Sequence, residues 1–293
     1  MASILSARQN TVPHTLGPSR RGTGMSRTQK LLFFLTAWLI CLMPFLFWWN
    51  TWFGRRLSDQ QLNEYLHDTK KPRHIQQALV QVGERITRQD ATVKQWYPQL
   101  VVLAADPVEE VRNTDAWVMG QDPSVAGFHQ TLLKMLSDPS PTVRGNAALS
   151  LVRFGDASGH SQIIALLQPA QITSPQSGRI LDADRPGTAI HQGGLIAKLQ
   201  YGQGQTVEIR SPISGRIRSV AGTGASVATG AEVAVIDPAS DQVWEALRAL
   251  YLIGRPDDIS AIRTYERELP NISDDVRQQA VETEQAIRKR SGS

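Results

Sequence analysis

The sequence predicts a multidomain α plus β protein with three parts: an N-terminal transmembrane helix, an α-α solenoid of helical repeats, and an all-β domain inserted into that solenoid. Three observations lead to this fold class. A long stretch near the N-terminus carries no charge, and a helix-turn-helix pattern recurs along the chain. A glycine-rich segment between Gln171 and Asp237 lacks helical periodicity and is duplicated within itself. At 293 residues the chain is long enough for two ordinary domains.

The N-terminal apolar stretch runs from Leu31 to Trp49 as LLFFLTAWLICLMPFLFWW, about 19 residues without a charge. A helix rises 1.5 Å per residue, so a stretch of this length crosses a hydrocarbon layer of roughly 30 Å. We therefore expect a transmembrane helix over residues 30–53. A cleaved signal peptide is disfavoured because the stretch ends in bulky aromatic residues rather than in the small residues of a cleavage site.

Basic residues flank the predicted span unevenly. More of them precede it than follow it: Arg20, Arg21, Arg27 and Lys30 against Arg55 and Arg56. By the positive-inside rule this favours an N-terminus in the cytoplasm. We expect a single-pass protein of the inner (cell) membrane, in which residues 1–29 form a disordered basic cytoplasmic tail and the C-terminal domains are periplasmic or otherwise extracytoplasmic.

The helical pattern is clearest around two Asp-Pro turns. The sequences LVVLAADPVEEVRNTDAWVMG and LLKMLSDPSPTVRGNAALSLVRFGD both give an apolar helix, an Asp-Pro turn, and a second helix opened by Val-Arg. Asp138 follows Asp106 by the same number of residues as Arg144 follows Arg112, so the two units align without a gap over this stretch. Proline stops the first helix because the residue before it avoids the helical region. Weaker units before and after these two predict about five helix pairs, over residues 57–168 and 239–290.

This pattern resembles the HEAT repeat family, whose units are antiparallel helix pairs joined by an Asp-Pro turn that Val-Arg follows. The resemblance implies that the Asp and Arg side chains link neighbouring repeats and have a structural role. It also implies an extended concave surface of the kind that solenoids present to partners.

The segment over residues 170–238 repeats itself. The sequence from 172 to 200 aligns without gaps on the sequence from 209 to 237. The shared positions include Ser-Pro pairs, a Ser-Gly-Arg-Ile run and two turn glycines. Glycine at turn positions supplies the positive φ that hairpins need. We expect two equivalent half-motifs that form one β domain.

Each half-motif resembles those of the biotinyl/lipoyl family, two of which interlock as a barrel-sandwich hybrid. In lipoyl carriers the modified lysine lies at the tip of the hairpin that joins the halves. Here the corresponding stretch is YGQGQTVEIRSP, and Gly204 stands at the lysine position. Lys198 lies on the preceding strand, away from the tip. The resemblance therefore implies an unmodified domain without a bound cofactor, in partial likeness to the periplasmic adaptor (membrane fusion) proteins.

The β domain interrupts one helical repeat. The sequence before it, SQIIALLQP, is typical of the first helix of a repeat, and DPASDQVWEALRALYLIGRPDD after it is typical of a turn and a second helix. We expect helix 161–168 to pack against helix 241–253.

No catalytic pattern is present in the sequence. It lacks Walker, Rossmann and Ser-His-Asp signatures, its single cysteine, Cys41, can form no internal disulfide, and its six histidines have no metal-ligand spacing. Each histidine is interpreted as a surface or loop residue. The basic residues do not alternate with aromatic ones as in nucleic-acid binders. We expect no catalytic, cofactor-binding or metal residues, no cofactor and no nucleic-acid partner.

The predicted function is that of a membrane-anchored, non-catalytic scaffold or adaptor that binds other, membrane-associated proteins. The predicted contact residues lie on the β domain and are Tyr201, Gln203, Gln205, Arg179 and Arg216. Three alternatives stay open: an accessory or periplasmic adaptor subunit of a transport or secretion complex, a biotin/lipoyl-type carrier, and an enzyme whose catalytic groups converge from distant repeats.

Overall fold

The computed structural model describes residues 27–52, 56–269 and 272–292. The chain divides into two compact units, Met1–Arg56 and Leu57–Ser293. In the first unit the structure describes one helix, α1 (Arg27–Trp52).

The predicted transmembrane helix is wrong. Among the described residues, no helix is long and apolar enough to cross a membrane. A span needs about 20 consecutive apolar residues to cross a hydrocarbon layer of roughly 30 Å, and no helix in the described part of the chain meets this requirement. Three predictions depended on this helix and are corrected with it. They are the membrane part of the fold class, the membrane partner and the single-pass inner-membrane location. Residues 1–26 of the predicted tail lie outside the described residues.

The second unit is a stack of helices interrupted in sequence by strands. Its helices are α2 (Asp59–Leu66), α3 (Pro72–Thr87), α4 (Tyr97–Leu103), α5 (Glu109–Met119), α6 (Ala126–Met135), α7 (Pro141–Arg153), α8 (His160–Leu166), α9 (Ser240–Ile253), α10 (Ile259–Ile262) and α11 (Asp274–Ser291). Short 3-10 helices occupy Ala91–Trp96, Pro256–Asp258 and Arg263–Glu266.

The helices of the second unit form pairs that stack side by side. The helices with odd numbers from α3 to α11 contact one another in succession and make an inner layer. Each of α2, α4, α6, α8 and α10 packs against the next helix in sequence and makes an outer layer. We call this arrangement the helix stack. Fully buried side chains such as Leu79, Leu132 and Leu247 fill the space between the layers.

The sequence around α7 shows how the turns of the stack form. The Asp138 carboxylate accepts a hydrogen bond from the Ser140 backbone N–H at 2.8 Å, and Ser140 Oγ caps the helix by accepting from Thr142 N–H at 3.2 Å. Pro141 at the first helical position loses no hydrogen bond there. The helix ends before Gly155, whose φ of 72° favours glycine.

Neighbouring repeats are tied by the pair that the HEAT resemblance implied. Arg112 Nε and Nη2 donate to Asp138 Oδ2 and Oδ1 at 2.7 and 2.9 Å. Both side chains are mostly shielded from solvent, where a two-pronged Arg–carboxylate pair is strongest. Arg144, the equivalent of Arg112, also donates to the backbone oxygens of its own turn, but its Nε donates to Gln162 Oε1 at 3.2 Å and not to a carboxylate.

The strands lie between α8 and α9 in sequence, and we call residues 170–238 the β segment. Its strands are β1 (Ala170–Thr173), β2 (Gly178–Ala183), β3 (Ala189–Ile190), β4 (Leu195–Tyr201), β5 (Gln205–Arg210), β6 (Gly215–Val220), β7 (Ser226–Val227) and β8 (Glu232–Pro238). They form two antiparallel four-stranded sheets, with orders β1-β8-β6-β3 and β5-β4-β2-β7.

The sequence duplication appears as symmetry in these two sheets. By the duplication, β1, β2, β3 and β4 are equivalent to β5, β6, β7 and β8. Replacing each strand by its equivalent converts the order of one sheet into the order of the other. Each sheet therefore contains strands from both halves. Gly178 and Gly215 are equivalent, and a Cβ at either would overlap a backbone oxygen of the paired strand, that of Gln200 or Asp237. Glycine is required at both positions because the backbones approach so closely.

The two helices that flank the β segment pack against each other, as the sequence predicted. Ile163 of α8 and Val243 of α9 are buried in the same apolar cluster. Gln242 Nε2 of α9 donates to the backbone oxygen of Leu166 at 2.9 Å. The chain thus leaves the helix stack after α8, forms the β segment, and returns to complete the same helix pair.

Candidate functional site

The hairpin between β4 and β5 carries three of the predicted contact residues. Tyr201 is half-buried, whereas Gln203 and Gln205 are exposed. Gly202 and Gly204 have φ of 53° and 95° and form the turn. A turn glycine, Gly204, therefore stands at the position that the biotinyl/lipoyl resemblance assigns to a carrier lysine.

Lys198 lies on β4, away from this turn. Its side chain is exposed, and the strand register places it opposite Glu208 on one side and Asp182 on the other. A cation between two carboxylates on a sheet surface is a common stabilising arrangement.

Arg179 and Arg216, the other two predicted contact residues, serve the β segment itself. Arg179 Nε donates to the backbone oxygen of Gly224 at 3.0 Å. Arg216 Nη1 donates to the backbone oxygen of Gly187, which is the duplicate of Gly224. Each arginine thus ties its own half to the turn of the other half. The geometry supports a structural role for both side chains.

Polar contacts hold one end of the β segment against the helix stack. Gln192 Nε2 donates to Glu109 Oε1 and to Thr142 Oγ1, both at 3.0 Å. Thr142 Oγ1 donates to the backbone oxygen of Pro212 at 3.1 Å, and Ser140 Oγ donates to Glu109 Oε1 at 2.7 Å. We call these five residues the seam. They join two loops of the β segment to the N-terminal turns of α5 and α7, so the seam restricts how the β segment moves relative to the stack.

A concave surface lies next to the seam, between the inner helices α7 and α9. It consists of two adjoining cavities of about 270 and 630 Å³, which share Asn146, Leu149 and Glu245. The smaller cavity reaches Trp117 of α5 and Leu252 of α9, and the larger one reaches the Pro212 loop of the β segment. We call the two cavities together the groove.

Apolar side chains are exposed at the end of the groove away from the β segment. Trp117 is 39% exposed and Leu252 is 61% exposed. Arg153 of α7 and Arg248 of α9 line the same cavity. Exposed tryptophan and arginine side chains around a depression are typical of protein-binding surfaces.

One buried carboxyl group has no partner. Both oxygens of Asp115 in α5 are fully buried and make no hydrogen bond. Burial, and secondarily the charge of Asp106, raise the pKa of Asp115 well above its ordinary value. The side chain lies in the core between helix layers, so a role in contacting a ligand does not follow from its position.

Two histidines interpreted as surface or loop residues instead link neighbouring repeats. His129 Nε2 lies 2.7 Å from Asp156 Oδ2, and His160 Nε2 lies 2.8 Å from Asp258 Oδ2. Tyr97 makes the equivalent contact one repeat earlier, with a hydrogen bond of 2.6 Å to Asp122. Tyr97, His129 and His160 follow one another at nearly the repeat interval. This spacing is the sequence signal from which their shared role could have been predicted.

The sequence prediction missed both the seam and the groove. Gln192, Glu109 and Thr142 carry no motif, and they meet only because the β segment folds back onto the stack. Trp117 and Leu252 belong to helices whose periodicity marks them only as surface positions. Over the described parts of the chain, no cluster of His, Cys, Asp and Glu side chains has the geometry to hold a metal ion.

Comparison with known protein families gives a match to part of the chain. The model of the HEAT repeat family matches residues 130–158, which cover most of α6, all of α7 and the turn at Gly155. No curated protein matches the chain. The helix stack therefore contains a HEAT-like element, and HEAT repeats in general mediate protein–protein interactions.

Proposed function

We propose that this chain is a non-catalytic scaffold that binds other proteins through its helix stack and its β segment together. The observation that carries the proposal is the groove, which lies on the inner layer of the stack and ends at the β segment. A stack of helix pairs presents an extended concave surface. The seam adds a second surface at a restricted orientation, so one partner can contact both.

We further propose that the β segment is an unmodified domain of the biotinyl/lipoyl type, a barrel-sandwich hybrid. The duplicated sequence and the symmetric sheet orders support this assignment. Gly204 at the hairpin turn argues against a carrier function, because a turn without an amine offers nothing to acylate. In this proposal the β segment acts as a binding surface.

The experiment is chemical crosslinking in cells that produce the tagged chain, followed by mass spectrometry of partners and of the intact chain. Lys134 on α6 and Lys198 on β4 are both exposed, so an amine-reactive crosslinker can report contacts of each part. A scaffold is expected to yield at least one protein crosslinked to both lysines, and an unmodified intact mass.

Three results would contradict the scaffold. A lipoyl or biotinyl mass increment on Lys198 would make the chain a carrier. The absence of any crosslinked protein would remove the basis for a binding function. Partners that crosslink only to Lys198, and neither to Lys134 nor to the exposed Lys289 of the inner helix α11, would indicate that the helix stack does not take part in binding.

A further inference from the structure

The groove coincides with the repeat that the β segment interrupts. On one side of it, α5 and α7 are tied closely: Asn146 Nδ2 donates to Asn113 Oδ1 at 2.6 Å, and Ser150 Oγ donates to the backbone oxygen of Ala116 at 2.8 Å. On the other side, Thr283 Oγ1 of α11 donates to the backbone oxygen of Leu247 at 3.0 Å. The groove therefore lies between two tightly joined pairs of inner helices.

The contact between α7 and α9 is apolar at depth and open above. Ala148 and Val152 of α7 share a buried cluster with Ala246 of α9. Nearer the surface, Leu149 of α7 and Glu245 of α9 line both cavities. Above these small buried side chains, the two cavities leave a volume that a peptide segment can occupy.

Arginine side chains dominate the charge at the apolar end of the groove. Arg153 is exposed and donates to the neutral oxygen of Gln121 at 2.7 Å. Arg248 lies 3.6 Å from Glu245 and stacks over the ring of Trp244 at 4.5 Å. The smaller cavity thus contains two guanidinium groups and one carboxylate, and Arg153 has no carboxylate within ion-pair distance among the described residues. This end of the groove complements an added negative charge.

The apolar side chains beside these arginines supply the second requirement for binding. Trp117 of α5 and Leu252 of α9 line the smaller cavity together with Leu149 of α7, the helix that contacts both α5 and α9. An apolar side chain entering here would be removed from water, and its neighbour along the chain would lie beside a guanidinium group. Central apolar burial with charges at the rim is the arrangement found at protein-binding hot spots.

We propose that the groove binds a segment of a partner protein in which an apolar side chain stands next to aspartate or glutamate. The apolar side chain enters between Trp117 and Leu252, and the carboxylate pairs with Arg153. The segment continues over Leu149 toward the Pro212 loop, so that it contacts the β segment at its other end. This proposal rests on the scaffold function and specifies where a partner binds and with what chemistry.

The test begins with random peptides displayed on phage and selected on the purified full chain. The expected result is an enriched consensus with a large apolar residue adjacent to Asp or Glu. A fluorescein-labelled peptide of that consensus is then titrated by fluorescence anisotropy. Arg153→Glu and Leu252→Asp are each expected to weaken binding at least about tenfold, because the first adds charge repulsion and the second places a charge in the apolar contact.

Two matched variants control for nonspecific effects. Arg73→Glu makes the same charge reversal at an exposed arginine of α3. Val102→Asp places a carboxylate at a site on α4 that is 63% exposed, close to the 61% of Leu252. Both variants are expected to bind the peptide within about twofold of the unmodified chain, which is the usual effect of a change outside an interface. Circular dichroism spectra and thermal midpoints check that all four variants fold.

Several outcomes would overturn the proposal. A consensus that is basic or lacks charge would contradict the role of Arg153, and a selection that enriches no peptide would contradict a peptide site. An acidic-apolar peptide that binds all four folded variants equally would place the site elsewhere. Each of these results is compatible with a partner that crosslinks to both Lys134 and Lys198, so failure of the groove and failure of the scaffold are distinguishable.

Discussion

Asp115 provides the sharpest test of the energetics of the helix stack. Its carboxyl group is fully buried in α5 without a hydrogen-bond partner. The equivalent position in the next repeat is occupied by Ala147, which is also fully buried. Asp115→Ala therefore installs a residue that the same packing environment already accepts, and we expect the variant to be more stable than the natural chain.

The expected gain follows from two opposing contributions. A buried polar group without a partner costs about 1–3 kcal/mol. Removing the carboxyl group leaves a void of about 30 Å³, roughly the volume of one water molecule, and at about 24 cal/mol per Å³ this void costs about 0.7 kcal/mol. We expect Asp115→Ala to raise the free energy of unfolding by about 1 kcal/mol in acid, where the carboxyl group is neutral in both states.

The gain should increase as the pH rises. Burial raises the pKa of Asp115 in the folded state, so the unfolded chain loses this proton first, near pH 4. At pH values between the two pKa values, the unfolded state binds fewer protons than the folded state. The free energy of unfolding of the natural chain therefore falls as the pH rises, by up to about 1.4 kcal/mol per pH unit. Asp115→Ala lacks this loss, so the difference between the two proteins should widen from pH 4 toward pH 7.

The assay is urea unfolding followed by far-ultraviolet circular dichroism at several pH values in that range. Thr131→Ala, a change at a buried side chain of α6 that carries no titratable group, is the control, and its stability difference from the natural chain should not vary with pH. The reasoning is refuted if Asp115→Ala is less stable than the natural chain at pH 7, or if its stability difference does not change with pH.

Two further predictions concern the contacts between repeats and between strands. Asp138→Ala leaves the guanidinium group of Arg112 shielded from solvent without its carboxylate partner. Urea unfolding should show a free energy of unfolding lower by about 3 kcal/mol, and a loss below about 1 kcal/mol would show that the pair contributes little. Gly178→Ala forces a Cβ atom against the backbone oxygen of Gln200 and should destabilise the β segment by about 1–3 kcal/mol. The measurement is amide hydrogen exchange, which should become faster over residues 170–238. Gly222→Ala, which meets no atom within 4 Å, should leave that exchange unchanged, and equal effects of the two alanines would contradict the close-approach argument.

Much of the fold followed from local sequence patterns. The spacing of apolar residues and the Asp-Pro turn predicted the helix pair around Asp138, because a turn and its caps involve residues only a few positions apart. The internal duplication predicted equivalent glycines at 178 and 215, and the sheet orders relate them by symmetry. The hairpin turn at Gly204 lies where the sequence predicted a tip without a lysine.

The candidate site followed far less from the sequence. Arg179 and Arg216 remain predicted contact residues, and in the structure each donates to the backbone oxygen of a turn glycine of the opposite half. Both positions alternate with buried residues and therefore have the pattern of ordinary surface residues. The transmembrane helix was predicted from apolar composition alone, and no described helix meets the requirement for a span.

Sequence by itself thus determined the repeating units, their turns and the duplication, since each depends on neighbours along the chain. Only the tertiary structure decided that Gln192 meets Glu109, that the Asp115 carboxyl group is fully buried, and that cavities lie between α7 and α9. These features depend on contacts between residues far apart in sequence. Their energies come from desolvation and from the close fit of packed surfaces, and neither exists until the chain has folded.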